Sequence, residues 1–177
     1  MAPSRSFDSA LISQARTFEA IAWLALIVMS LDLLRLAGIV SLGFALVDGI
    51  AAGDISSARP ELEGFLRSLV EVLPTIIYLG GVWSARTMFA RIGQGEMFSD
   101  ANSRGLADIG SSLMWGAVTA MVIVPQLLSW IDGERGLGGV HIEQETLVLA
   151  VIGGGIAVVG RMMAHATRLR SELDEII

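Results

Sequence analysis

Four apolar runs, each about as long as a helix must be to cross a bilayer, constrain this chain more than any other feature. Residues 18–40, 65–90, 108–131 and 146–163 are dominated by Leu, Ile, Val, Ala, Met, Trp and Phe. At ~1.5 Å rise per residue, about 20 residues span a hydrocarbon core of roughly 30 Å. Inside lipid every backbone N–H and C=O needs a partner, and a helix supplies all of them from its own segment. The expected fold class is therefore all-α, a polytopic membrane protein built as a four-transmembrane-helix bundle (TM1 to TM4). Short connections favour sequential antiparallel neighbours. The chain, 1–177, reads as a single membrane domain.

Composition bears on what such a protein can do. Hydrophobic residues make up 53% of the chain, above the roughly 45–50% of a soluble domain even when glycine is counted there. All 12 basic residues are arginine, and the formal net charge is −6. The Lys-rich patches common on nucleic-acid binders are missing, so direct binding of nucleic acid is not expected. With no cysteine, disulfide frameworks, thiolate nucleophiles and cysteine metal sites are excluded together.

In chain order, residues 1–17 read as a polar tail, with Pro3 and several serines discouraging a long helix. TM1 follows at 18–40. A secretory signal peptide is the weaker reading of this start, because its apolar region would be about 7–15 residues long. Residues 41–64 shift to Gly, Ser, Ala and acids and read as a loop. In it, Pro60 followed by Glu61 and Glu63 marks the expected start of the next helix. TM2 covers 65–90 and contains Pro74, whose missing N–H predicts a kink. A polar connection at 91–107 leads to TM3 at 108–131, with Pro125 near its end and Trp115 and Trp130 placed at or near the interfaces. The loop at 132–145 is glycine-rich and acidic. TM4 and its extension occupy 146–177.

Arginine placement sets the expected orientation, since basic residues are retained on the cytoplasmic side. Arg5, Arg16, Arg86, Arg91, Arg104, Arg161, Arg168 and Arg170 fall on one side, against Arg59, Arg67 and Arg135 on the other. Both termini and the central connection are thus expected inside, with the chain crossing the membrane several times.

The central connection carries the clearest local signal. Gly93 and Gly95 can end one helix, and Ser99 followed by Asp100 offers an N-cap and an acid for the first turn of the next. The block Gly95-Glu96-Met97-Phe98-Ser99-Asp100-Ala101-Asn102, running into Leu106-Ala107-Asp108-Ile109-Gly110, resembles a bacterial family of small four-helix membrane proteins classed as a domain of unknown function. The end of TM4 leading into Arg168-Leu169 and Glu172 extends the resemblance. The family pattern more often closes on an acid followed by asparagine, whereas Glu172 here is followed by Leu173. Family members are often encoded beside small helix-turn-helix regulators of the Cro/CI type, so the resemblance implies a transcription regulator as partner.

Several constellations carry the candidate sites. Ionisable groups at lipid depth cost on the order of 3 kcal/mol each on insertion scales. Asp32 and Arg35 lie three apart and can pair on one helical face, or they can form part of a proton or substrate path with Glu71. Glu71 can also reach water or Arg67. Small residues at Ala150/Gly154, Gly153/Ala157 and Gly116/Ala120 allow close helix approach, either within the chain or in a homo-oligomer. The Gly153–Gly155 run lacks a Walker lysine or a preceding strand and is not a phosphate loop. Arg161, His165 and Arg168 share one face of the TM4 extension and suit either anionic lipid headgroups or a protein partner. Phe98 can anchor in the membrane surface, pack beneath its loop or meet a partner, and Ser99 and Asn102 are expected to cap the helix. His141 and His165 lie on opposite sides, so no shared metal site is expected.

No Ser-His-Asp arrangement, paired intramembrane carboxylates or HExxH spacing is present, and neither enzyme chemistry nor a cofactor is expected. The leading expectation is a non-enzymatic regulatory membrane protein that binds a soluble regulator through Gly95, Phe98, Ser99, Asn102, Arg161, His165 and Arg168. The rival is a small transporter, channel or membrane-stress component using Asp32, Arg35 and Glu71.

Overall fold

The computed structural model describes residues 4–33, 35–51, 55–96, 99–133, 139–140 and 142–174. Their regular structure is entirely helical: α1 (Ser4–Leu33), α2 (Arg35–Ala51), α3 (Ile55–Gly93), α4 (Asp100–Val118), a π-helical turn (Thr119–Ile123), α5 (Val124–Ile131) and α6 (Gln144–Asp174). Four stretches are long and apolar enough to cross a membrane: Ile12–Leu31, Leu62–Gly93, Asp100–Ile131 and Gln144–Leu169. Length and composition thus make the chain a multi-pass membrane protein.

The helices pack in chain order, α1 on α3, α3 on α4 and α4 on α6. Gly93 meets the Arg16 side chain, Phe89 stacks on Phe18 with centroids 5.3 Å apart, and Arg86 meets Trp23. Rising numbers on α1 therefore face falling numbers on α3. Helix α2 continues the same path, since a Cβ on Gly43 would lie 3.6 Å from the Phe65 ring. Together α1 and α2 form one arm of a long helical hairpin and α3 forms the other.

Glycine stands where the remaining helices cross. Gly105 receives Met88, Gly81 faces Ser112, and Gly116 lies under the ring of Tyr78, all between α3 and α4. Between α4 and α6, a Cβ on Gly153 would come 2.6 Å from the backbone nitrogen of Met114, and one on Gly160 would come 2.8 Å from Cα of Ala107. Lipid tails offer no hydrophobic penalty that would drive two apolar helices together. Close backbone approach and dense van der Waals contact hold this pair instead.

The helices depart from the sequence expectations at several boundaries. Segment 41–64, read as a loop, is helical wherever it is described, with α2 reaching Ala51 and α3 starting at Ile55, ahead of Pro60. Its glycines permit close packing, and Val40, Phe44, Val47 and Ile50 give α2 an apolar surface. Tertiary contact outweighs weak helix propensity there. The tail 1–17 is likewise helical from Ser4, with Ala15 buried. Over 18–40 every described residue is helical, in α1 as far as Leu33 and in α2 from Arg35. The connection 91–107 shrinks to 94–99. The loop 132–145 yields to α6 at Gln144, and His141 lies outside the described residues.

The two intramembrane prolines behave differently. Helix α3 stays helical through Pro74. Before Pro125 the backbone widens into the π turn, and the N–H of Val124 donates to the carbonyl of Thr119, five residues back. Proline cannot donate, and its ring crowds the carbonyl four residues earlier. One extra residue in the turn relieves both problems. Beyond this turn, Asp132 pairs with Arg67 of α3, both side chains being exposed. Exposed ion pairs contribute about 0–1 kcal/mol. Asp132→Asn is accordingly expected to lower the melting temperature by less than about 4 °C in thermal unfolding of the solubilised protein.

Candidate interaction surface

One end of the molecule collects the α3–α4 turn, the start of α1 and the far part of α6. The turn is built from backbone outward. Gln94 and Glu96 donate their N–H groups to the carbonyl of Arg91 at 3.0 and 3.1 Å, and Gly95 donates to Ile92 at 3.0 Å. Gly95 has φ +95°, a conformation in which a side chain would be strained. Helix α3 thus stops by returning its last carbonyls to the turn.

Restart follows from Ser99, whose extended backbone and side-chain oxygen cap α4. Its Oγ accepts from the N–H of Asn102 at 3.2 Å, and its carbonyl accepts from the N–H of Ser103 at 3.2 Å. Asn102 also reaches back, with Nδ2 donating to the carbonyl of Glu96. Asp100 in the first turn pairs with Arg104, four residues on, and complements the helix N-terminus. Asn102 is only 6% exposed. It is a buried strut of the turn, whereas Gln94, Gly95 and Glu96 are exposed. Met97 and Phe98 lie outside the described residues.

Arg161, His165 and Arg168 are exposed on α6. Because Gly160 crosses α4 at Ala107 and the helices are antiparallel, the last part of α6 runs past the first residues of α4 toward the turn. There α6 leaves its apolar run and continues as helix to Asp174, with Leu169 49% exposed. The surface therefore combines a locked turn, three cationic or titratable side chains and one apolar side chain.

The other predicted residues fall elsewhere. Gly153 and Ala157 meet α4 at Gly110, a residue whose role spacing alone does not reveal. Gly154 faces Met114, and Gly116 takes Tyr78 from α3. Ala120 in the π turn and Ala150 are half-buried. Glu71 is exposed, and Arg67 is engaged with Asp132 rather than with it. Asp32 lies at the end of α1 and Arg35 at the start of α2, and their side chains lie outside the described residues.

These features define the class: an α-helical polytopic membrane protein with a structured polar end. Residues 14–177 match the family described as protein of unknown function DUF2975, and the chain belongs to that family. No curated protein and no solved structure matches it.

Proposed function

We propose that this protein is a non-enzymatic regulatory component of a bacterial cytoplasmic membrane, with both termini inside, whose arginine-rich end holds a small soluble helix-turn-helix regulator. The observation that carries this reading is the continuation of α6 beyond its apolar run, presenting Arg161, His165, Arg168 and Leu169 beside the capped turn. A helix in water with an exposed leucine among cations offers both apolar area and charge to a partner. The orientation rests on the arginine distribution, and the partner's class on the family resemblance. Membrane tethering would withdraw a regulator from DNA if the membrane protein binds one of its states better than the other.

Photo-crosslinking tests this directly. With a photoreactive residue in place of Phe98 in cells of the source organism, the expected product is one helix-turn-helix protein, lost when Arg168→Ala is added. Recovery of lipid or of the protein itself alone would overturn the proposal.

A further inference from the structure

The membrane-facing groove between α1 and α3 ends near a cation that no described residue engages through a hydrogen bond. Trp23, Ile27 and Leu31 line one wall, and Ile76, Gly80 and Trp83 the other, around a volume of about 700 Å³. The lining is almost wholly apolar, and Trp23 and Trp83 are 44% and 53% exposed. Arg86 lies against the tryptophan end of the groove. Its guanidinium carbon lies 4.5 Å from the Trp23 ring centroid and 5.3 Å from that of Trp83. Among the described residues Arg86 makes no hydrogen bond or ion pair, and its buried Nε has no partner.

Depth gives this arrangement its meaning. Arg86 is three residues beyond Trp83, ~4.5 Å along the helix axis. Through the crossings of Gly105 with Met88 and Gly160 with Ala107, it shares its level with Arg161, at the edge of the apolar run of α6. Tryptophan favours the membrane interface, and an arginine held just beyond it sits at phosphate depth. A guanidinium donates in a fork that suits phosphate oxygens while its face rests on aromatic rings.

We propose that the groove binds one anionic membrane phospholipid, with an acyl chain along Trp23, Ile27, Ile76 and Gly80 and the phosphate on Arg86. Charge complementarity selects this occupant over a second copy of the chain, since the groove is apolar along its length and cationic at the headgroup end. Cation–π contact with both rings holds the guanidinium in place before the lipid arrives, which lowers the ordering cost of binding.

The test is fluorescence quenching of the full-length protein carrying Trp115→Phe and Trp130→Phe, which leaves Trp23 and Trp83, in phosphatidylcholine vesicles. Acyl chains brominated on phosphatidylglycerol or on phosphatidylcholine serve as contact quenchers. The expected result is about fivefold preference for the anionic lipid, the ~1 kcal/mol that one cation contributes near a membrane surface. Arg86→Gln is expected to reduce the preference to about one, whereas Arg86→Lys retains most of it. A Cβ at Gly80 would meet nothing within 4 Å, so Gly80→Phe has room at its root to send a ring into the groove and is expected to halve quenching by both lipids. Equal quenching by the two lipids, preference that survives Arg86→Gln, or rings shielded from both lipids by a second copy would each overturn the assignment.

Discussion

Gly110→Ala is expected to separate α4 from α6 and lower the melting temperature by about 6–12 °C, the equivalent of roughly 3 kcal/mol in a chain of this size. A Cβ at this position would lie 2.5 Å from the carbonyl oxygen of Gly153, and it would also press on the backbone nitrogen of Ala157. Both obstacles are main chain. No rotamer change can relieve them, so the helices must move apart and surrender contacts along the crossing. Gly155→Ala is the internal control, because its added Cβ meets nothing within 4 Å, and a shift of no more than about 2 °C is expected under the ±0.5 kcal/mol typical of open sites. Intrinsic tryptophan fluorescence during heating reads both variants. Equal melting of Gly110→Ala and the unsubstituted protein would contradict the close crossing.

Asn102→Ala is expected to release the α3–α4 turn while leaving the helices paired. Asn102 is buried, and its Nδ2 donates to the Glu96 carbonyl. Truncation removes the donor and leaves that acceptor to find water, which costs about 1–3 kcal/mol. The Ser99 cap survives, since it uses the backbone N–H of Asn102 rather than its side chain. Hydrogen–deuterium exchange should therefore accelerate about 5- to 150-fold at residues 94–99, as local opening of that energy implies, and remain slow in the middle of α4. Partner capture through Phe98 should fall in parallel if the locked turn presents the surface. Unchanged exchange at 94–99 would show that Asn102 does not hold the turn.

What the sequence reveals depends on whether the governing interaction is local. The restart at Ser99 and Asp100 is legible because an N-cap and its acid act within one turn, and the structure shows Ser99 in that role. The apolar runs are legible because lipid imposes length and composition directly. Partner choice across helices is not local. Several small-residue stripes overlap in α6, and only the approach of α4 decides that Gly153, Ala157 and Gly160 are used while Gly155 faces open space. Likewise, Trp83 stands one turn from Arg86 on the same helix, whereas Trp23 reaches that cation only through the antiparallel hairpin. Helix α2 escapes composition-based reading because Gly, Ser and Asp punctuate it. Those residues signal a loop only when no partner helix waits beside them.

The length of α3 has a mechanical consequence. Its 39 residues make a strut of ~58 Å, nearly twice the thickness of a hydrocarbon core of roughly 30 Å, and α1, α2, α4 and α5 all lean on it. Moving as one body, a rod of that length would act as a lever pivoted in the membrane. Tilting it by about 10° around its midpoint carries each tip some ~5 Å sideways, in opposite directions. Arg67 stands ~10 Å from that midpoint, so the same tilt would move the Arg67–Asp132 pair about 2 Å one way and the turn that follows Gly93 ~5 Å the other.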